Sequence, residues 1–559
     1  MNLKKACILG DYMVIYLLIG LISYTPPPFL KFYILKAMPC AHPILTCQEA
    51  AQLEVTILAD EAAEWAAMQQ AGVGIAKAIC LDYQELQSLP QGLSVLALIG
   101  KGNNGGDALL TCGQLLADFP RARVTLIFAA DPSDLKPLAA RAHQQLKGRV
   151  SEHQLDANSD VASIHELLDA ASVDRAFDIC IDGLLGMTFQ SPVRAPMRVL
   201  IEAVNCYEKI GLRAAVDVPS GKGDVSDELT FHADFSYATG VAKKVLFEGN
   251  VECGRVRTID LGFSEAPARV DAAEMVLNDR VLDSLRTLRP AVVDKRAFGH
   301  LFVVGGSAFM PGALLMAVQA AVRSGLGLVT AFAPASVAAT LAAQVPEAMW
   351  VPWPETANGT LNPRALPLLL DRIDQATAVL LGPGMGKDRN TEMVAQEIVE
   401  QVDLPVILDA DVLRVRVLEL VPKRKASAGS VILTPHMGEF MRIAKLNVPD
   451  YSNETLRTFC QSYRVTTVLK SAHTRICDGE NIWYNTYGGP VLSRGGSGDL
   501  LAGLVGGMIA QDQTCVQTSV ARGVVLHGLA AQLLARAHGQ VAVHTTQVLD
   551  YLSSALRRV

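Results

Sequence analysis

Short apolar runs recur along the 559-residue chain, and they stop abruptly at turns rich in glycine or aspartate. The run LSVLALI at 93–99 ends directly at KGNNGGD; VTLIF at 124–128 follows, then ICID at 179–182 and AAVD at 214–217, each closing on an aspartate. Stretches with helical spacing lie at 48–80 and 107–116. Strands alternating with helices predict a parallel α/β sheet, whose ligands sit beyond the carboxyl ends of the strands. Gly102 to Asp107, Asp182 and Asp217 all fall at that edge. A second series opens with LFVV at 301–304, which runs into GGSAFMPG and a helix over 313–324. Its later runs, at 328–332, 378–381, 405–408, 431–433 and 467–469, are punctuated by GPGMG (382–386), DAD (409–411), TPHMGE (434–439) and KSAHT (470–474), before a helical tail. The charged, alanine-rich segment 264–290 shows no strong strand and reads as the junction between two α/β domains.

Composition narrows what such domains would bind. Half the residues are hydrophobic, 19% are charged and the net charge is −7. That balance is globular and carries no basic surplus for nucleic acid, so small-molecule substrates are the expectation. The 11 cysteines form no CxxC pair, which argues for reduced thiols in a cytoplasmic enzyme rather than a disulfide framework or zinc site. Residues 1–37 are different, with two early lysines and an apolar run at 12–23. That run is short of the roughly 20 residues a span needs, and no small-x-small cleavage site follows. It reads as an upstream start-site extension, with Met38 as an alternative initiator; membrane association and export are the other readings.

In GNNGGD (102–107), adjacent glycines would let backbone N–H groups approach phosphate oxygens at a helix N-terminus, and the asparagines offer neutral oxygens to a hard cation or a ribose. The plainer reading is a tight strand–helix turn whose glycines supply positive φ. With DGLLG (182–186) and DVPSG (217–221), the set resembles the YjeF N-terminal family, the NAD(P)H-hydrate epimerases, over 45–265, including ADFSYATG and GRVRTIDLGF. The resemblance implies a Rossmann-like sheet in which Asn103, Asn104, Gly105, Gly106 and Asp107 line the hydrated dinucleotide site. It implies that Asn104, Asp182 and Ser220 hold K+, and that Asp217 contacts the substrate as acid or base at the hydrated carbon. Gly186, Met187, Thr188, Phe189, Gln190, Ser191 and Pro192 would close over the substrate. Two segments depart from the family pattern: MTFQ at 187–190, and GKGDVSD at 221–227.

The second series contains FGHLFVVGGSAFMPGA, GPGMG, LDAD, LTPHMGEF, LKSAHT and GGSGD in that order. Singly, His436 reads as a turn residue, Lys470 as a surface lysine and Asp499 as an acid favoured at a helix start. Together they resemble the YjeF C-terminal family, the ADP-dependent NAD(P)H-hydrate dehydratases of the ribokinase-like fold, over 285–557. The resemblance implies an anion hole built by GGSG, with Asp499 as general base on the substrate hydroxyl. Lys470, Ser471, Ala472, His473, Thr474 and Gly498 would contact the AMP part of ADP. Ala313, Gly386, His436 and Asp499 would contact the hydrate, with Asp409 and Asp411 organising Mg2+ or water. Here the departures are Ser471 in place of a glycine, LDADVLR, and Arg494, which either clamps phosphate or faces solvent.

The expected organisation is therefore an N-terminal extension (1–37), an epimerase domain (45–265), a junction (266–284) and a dehydratase domain (285–557). The expected substrates are NAD(P)HX and ADP, in a homo-oligomer. The alternative is a ribokinase-like kinase of a vitamin precursor, carrying a non-catalytic nucleotide-binding N-terminal domain.

Overall fold

The computed structural model describes residues 6–9, 12–15, 40–156, 158–172, 176–249, 251–263 and 272–557. The apolar run at 12–23 lies mostly outside these; its described part, Tyr12–Ile15, pairs antiparallel with Ala6–Leu9. No helix among the described residues is long and apolar enough to cross a membrane.

The first large sheet has seven strands, all parallel, in the order Arg255–Ile259, Phe235–Thr239, Ile210–Val216, Phe177–Gly183, Ser94–Ile99, Arg123–Phe128, Ser151–Gln154. Ser94–Ile99 is buried along its whole length, and its side chains alternate between two apolar layers: Val95, Ala97 and Ile99 in one, Leu96 and Leu98 in the other. Cover on both faces is why this strand reads as a continuous apolar run. From Ser94–Ile99 the chain proceeds outward to one edge, then resumes at Phe177–Gly183 and proceeds to the other. Such a reversal opens a crevice at the carboxyl ends of the two central strands, where open α/β sheets bind ligands.

The second sheet has twelve strands. Its parallel part runs Val465–Leu469, Val431–Leu433, Val406–Leu408, Ala378–Leu381, His300–Val304, Leu328–Pro334, Met349–Trp353. The reversal recurs between His300–Val304 and Ala378–Leu381, just before GGSAFMPG and GPGMG.

Three elements differ from the sequence expectation. The segment 48–80 forms two helices, Cys47–Ile57 and Glu61–Tyr83, because Asp60 stops the pattern and caps the second, accepting from Ala63 N at 2.8 Å. The helix expected over 107–116 is Asn103–Asp118 and so already contains GNNGGD. The junction, expected to lack a strong strand, contributes the strand Glu274–Leu277, antiparallel to Ala41–Leu45 and parallel to Ile482–Asn485. Four residues are too few to show a period; two waiting strand edges supply the hydrogen bonds instead.

Through that strand the second sheet reaches into the N-terminal half, because Ala41–Leu45 also pairs with Ala242–Lys243. Charge reinforces the seam. Asp82 and Glu85 are nearly fully buried, and Arg257 and Arg255 meet them at 3.0 and 2.6 Å. Arg536, from the far helix Val516–His538, reaches Asp82 at 3.4 Å, and Arg257 also donates to Thr486 O at 3.0 Å. Burial at this depth requires such full pairing.

Candidate functional site

In the first crevice, GNNGGD is the opening turn of its helix, with Gly102 as N-cap. Gly102, Gly105 and Gly106 do not adopt positive φ, contrary to the turn reading. Gly105 and Gly106 are needed for closeness: a Cβ on Gly105 would stand 2.0 Å from Gly100 O, and one on Gly106 2.8 Å from Met68 Sδ. The helix thus presses its N-terminus, with its unpartnered first-turn amides, against the end of strand Ser94–Ile99.

Asn104, Asp182 and Ser220 come together there. Asp182 is fully buried and accepts from Ser220 Oγ (2.6 Å), Ser220 N (2.8 Å) and Leu184 N (3.2 Å). Burial pushes its carboxyl up to about 6, against these hydrogen bonds, and no cationic side chain pairs with it among the described residues. Asn104 Nδ2 donates to Leu185 O at 2.8 Å, so its Oδ1 remains as an acceptor. An uncompensated buried carboxylate with amide and hydroxyl oxygens beside it is a donor set that fits a hard monovalent cation.

Asp217 follows the strand Ile210–Val216 at φ 63°, a backbone that non-glycine residues rarely adopt. Its Oδ1 accepts from Thr239 N and Thr239 Oγ1, both at 3.1 Å, and pairs with the ammonium of Lys243, itself wholly buried. Two further acids belong to this cluster. Glu54, from helix Cys47–Ile57, is pushed up to about 7 by burial and by Asp217, against the pull of Lys243. Asp107 is held well above the usual carboxylate range by burial, then by Asp217 and Glu54. Sequence reasoning missed Glu54 and Lys243. A lysine inside FSYATGVAKKVLF, otherwise a buried-type stretch, was the available signal for Lys243; a glutamate on an amphipathic helix gave none.

The segment Gly186–Pro192 lies over this crevice. A Cβ on Gly186 would stand 3.4 Å from Asn104 Cβ, Met187 packs beside Val218 and Val241, and Phe189 joins the layer behind Phe177–Gly183. The departure at 221–227 has a visible purpose. Asp227 accepts from Ser191 Oγ (2.9 Å) and Val193 N (2.8 Å), and Asp224 accepts from Cys47 N (2.7 Å) and Gln48 N (2.9 Å). The unusual acids anchor the loop on one side and the helix bearing Glu54 on the other. Among the described residues, the side chains of Thr188 and Gln190 make no hydrogen bond or ion pair.

In the second crevice, Gly496 takes the left-handed conformation (φ 89°) and starts helix Ser497–Gln511. A Cβ on Gly498 would come within 3.1 Å of Lys470 Nζ, so the lysine head rests against the helix start. Lys470 also pairs with Asp409 at 3.1 Å, whose Oδ1 takes a 2.6 Å bond from Thr434 Oγ1. Asp411 Oδ2 accepts from Gly386 N at 2.9 Å, and Gly384, on the same turn, packs against Ala313. His436 caps the helix Met437–Ile443 through Nδ1, keeps its ring largely exposed and bridges to Lys470 through the backbone. Asp499 has no ion-pair partner among the described residues. Burial first, then Asp409, pushes it up to about 7, with Asp411 and Glu439 adding to the rise and Lys470 opposing it.

Around the 470–474 loop, side chains find partners of their own. The ring of His473 packs on Phe247 at 5.2 Å, at the seam with the N-terminal half; burial, then Arg257 and Arg475, holds it down to about 4. Ser471 Oγ turns back onto its own loop, donating to His473 O at 2.7 Å, while Thr474 Oγ1 donates to Ser471 O at 3.2 Å. Ala472 is exposed at the loop tip. Arg494 is exposed, and its guanidinium donates to Val543 O (3.0 Å), Gln540 O (2.9 Å) and Val541 O (2.6 Å).

Residues 65–245 match the family described as YjeF-related protein N-terminus, and residues 301–554 match the NAD(P)H-hydrate dehydratase family. The chain is 32% identical over 529 residues to a bifunctional NAD(P)H-hydrate repair enzyme of Gloeobacter violaceus, covering 90% of this chain and 96% of that one. It is 29% identical over 519 residues to a second such enzyme, from Moorella thermoacetica, covering 88% and 92%. A solved ADP/ATP-dependent NAD(P)H-hydrate dehydratase of Bacillus subtilis, co-crystallised with ATP and Mg2+, is 29% identical and covers 49% of this chain and 95% of its own, at a TM-score of 0.42.

Proposed function

The chain belongs to the bifunctional NAD(P)H-hydrate repair enzymes, and from that premise we propose how its residues divide the two reactions, epimerisation of NAD(P)HX and nucleotide-dependent dehydration. The observation that carries the division is the pair of switch-point crevices, each combining a glycine-built helix start with its own acid cluster.

In the first crevice, the amides of Asn103 to Gly106 hold the dinucleotide phosphates, and Gly186 to Pro192 cover the substrate. Asp217 acts as acid or base in the epimerisation at the hydrated carbon. Lys243 and Thr239 hold its Oδ1, which leaves Oδ2 for the substrate. Asn104, Asp182 and Ser220 would hold K+, whose charge would balance the Asp182 carboxylate.

In the second crevice, the substrate is the S-hydrate and the phosphoryl donor is ADP. The loop from Lys470 to Thr474 and the backbone at Gly498 hold the AMP part, with the ring of His473 turned away to Phe247. Asp499 removes the proton of the substrate hydroxyl as its oxygen attacks the β-phosphorus, and AMP leaves. Helix-start amides and Lys470 carry the charge on the transferred phosphoryl group. Loss of a proton from the adjacent carbon and of phosphate from the C–O bond then restores the double bond of NAD(P)H. Ala313, Gly386 and His436 orient the hydrate. Asp409 and Asp411 are carboxylates of the kind that, with nucleotide phosphates, complete a Mg2+ site, and the ion would add Lewis-acid polarisation there.

Purified R- and S-NADHX are each incubated with the protein and Mg2+, with ADP or ATP, and NADH absorbance is followed. Recovery from the S form with ADP, and from the R form faster than spontaneous epimerisation allows, is the expected result. Phosphorylation of a vitamin-type alcohol by ATP without any NADH recovery would replace this reading by the kinase alternative.

A further inference from the structure

Resting on the reading of the first crevice as the epimerase site, we propose that Glu54 is a second catalytic acid–base of that site, working as the proton partner of Asp217. Its position follows from the packing of helix Cys47–Ile57. The strand before this helix pairs with Lys243 through Leu45, so the helix leaves the sheet beside the Asp217–Lys243 ion pair. Cys47 packs with Val218, Leu53 packs with Val241, and Met187 of the covering segment touches both groups. The helix therefore packs in the same apolar clusters as the covering segment's Met187 and as Val218, the residue after Asp217. Asp224 fixes its first turn by accepting from two backbone amides.

Glu54 is half-buried, and its carboxyl makes no hydrogen bond and no ion pair among the described residues. A structural acid partly withdrawn from water gains by pairing, and Glu54 has no such partner. The charged groups acting on it are Lys243, Asp217 and Glu64, and Asp107 on the facing helix start in turn feels Glu54. Burial and the neighbouring acids Asp217 and Glu54 hold the carboxyl of Asp107 well above the usual carboxylate range. Glu54, at about 7, can give and retake a proton, the condition under which general acid–base catalysis is most effective.

The reaction needs two such groups. Hydration of an enamine double bond places the hydroxyl on the carbon next to nitrogen, so inversion can proceed by breaking and remaking one C–O bond. Glu54 gives its proton to the hydroxyl, which leaves as water while the ring nitrogen lone pair forms C=N⁺. Water then adds to the opposite face. Asp217 Oδ2 takes its proton as the new C–O bond forms and the electron pair returns to nitrogen. One proton has moved from Glu54 to Asp217, and exchange with solvent resets both; no redox cofactor is consumed.

The test uses the full-length protein, R-NADHX with ADP and Mg2+ to report epimerisation, and S-NADHX to report dehydration in the same preparation. Glu54→Gln should lower kcat from R-NADHX by about 100-fold with KM within about threefold, and leave the S-NADHX rate unchanged, which certifies folding. In the unmodified protein, epimerisation should fall as pH rises through about 7, because the acid form is required. That limb should disappear in Glu54→Gln and return in Glu54→Asp. A Glu54→Gln protein with unmodified kcat, one with only a raised KM, or one retaining the alkaline limb overturns the inference alone. Unmodified protein that never exceeds the spontaneous epimerisation rate overturns this inference and the epimerase reading together.

Discussion

The helix start at Asn103 and the one at Ser497 both put glycines at a switch point, yet the glycines answer different constraints. At Asn103 they let a helix touch its own strand, with no positive φ required. At Ser497, Gly496 needs the left-handed conformation to begin the helix, and Gly498 leaves room for a lysine head. The acids diverge in the same way. Asp217 reaches its crevice from a separate strand and is paired with a buried lysine. Asp499 stands on the glycine helix itself among Asp409, Asp411 and Glu439, without an ion pair. Similar sequence signatures thus yield one acid fixed by a cation and one that titrates near neutrality. The first suits a site whose proton traffic is shared with other carboxyls, the second a base that must accept a single proton during phosphoryl transfer.

The sharpest way to break this contrast is a crossed pair of isosteric substitutions. Asp499→Asn should lower dehydration of S-NADHX by about 1,000-fold in kcat while nucleotide binding persists. Asp217→Asn should do the same to epimerisation and leave dehydration intact. Calorimetric titration with ADP and the two-epimer assay read both effects. If either substitution silenced both activities, or neither, the two crevices would not be separate catalytic centres.

The seam sets the next largest effect, and here the halves should behave as one. Arg257→Met removes a buried partner of Asp82 and should cost about 3 kcal/mol, since breaking a buried ion pair strands its partner's charge. Thermal inactivation of the two activities should shift downward together. If dehydration kept its unmodified inactivation temperature while epimerisation lost its own, the seam would be a contact between independent bodies.

How much of this was legible beforehand depended on range. The central strands were readable because Ser94–Ile99, His300–Val304 and Ala378–Leu381 are buried throughout and, apart from Ser94 and His300 at their starts, apolar at every position. Asn104, Asp182 and Ser220 were legible as a group only through the family resemblance that GNNGGD, DGLLG and DVPSG carry. The strand Glu274–Leu277 was not, since its partners lie some 200 residues away on either side, at 41–45 and 482–485. Lys243 and Glu54 have side chains that normally mark surface, and only their partners across the fold, with no local pattern, place them in the crevice. GKGDVSD had looked like a simple departure; its Asp224 and Asp227 acquire a meaning once Cys47 and Ser191 are seen beside them.

The titrating acid gives a smaller and more discriminating test. Asp499 must be charged to act as base, and it is charged only above its pKa, so dehydration kcat/KM should rise with pH through about 7 and then level. Lys470 favours the charged form, so Lys470→Met should move that midpoint upward, besides weakening nucleotide binding. A midpoint that stays put in Lys470→Met, followed under single-turnover conditions at saturating ADP, would mean that the observed limb belongs to another group.

The smallest effect is expected at Arg494, the residue whose sequence position beside GGSGD most suggested a phosphate clamp. Its guanidinium is already engaged by three carbonyls at 540, 541 and 543. To reach an anion it would have to abandon charge-assisted hydrogen bonds that contribute to ordering the chain after helix Val516–His538. Arg494→Ala should therefore cost about 1–2 kcal/mol of stability, the scale of such bonds in a partly exposed setting, and leave KM for ADP within about twofold of the unmodified value at saturating hydrate, a change of less than about 0.5 kcal/mol. A phosphate clamp would behave in the opposite way, raising KM for ADP by 10-fold or more, about 1.4 kcal/mol, with stability nearly unchanged. Denaturation midpoints and ADP titrations on one preparation separate the two. The same pair of measurements on Lys470→Met should show the clamp-like pattern, which makes the lysine, seated against Gly498, the cation of the second crevice and the arginine a strut behind it.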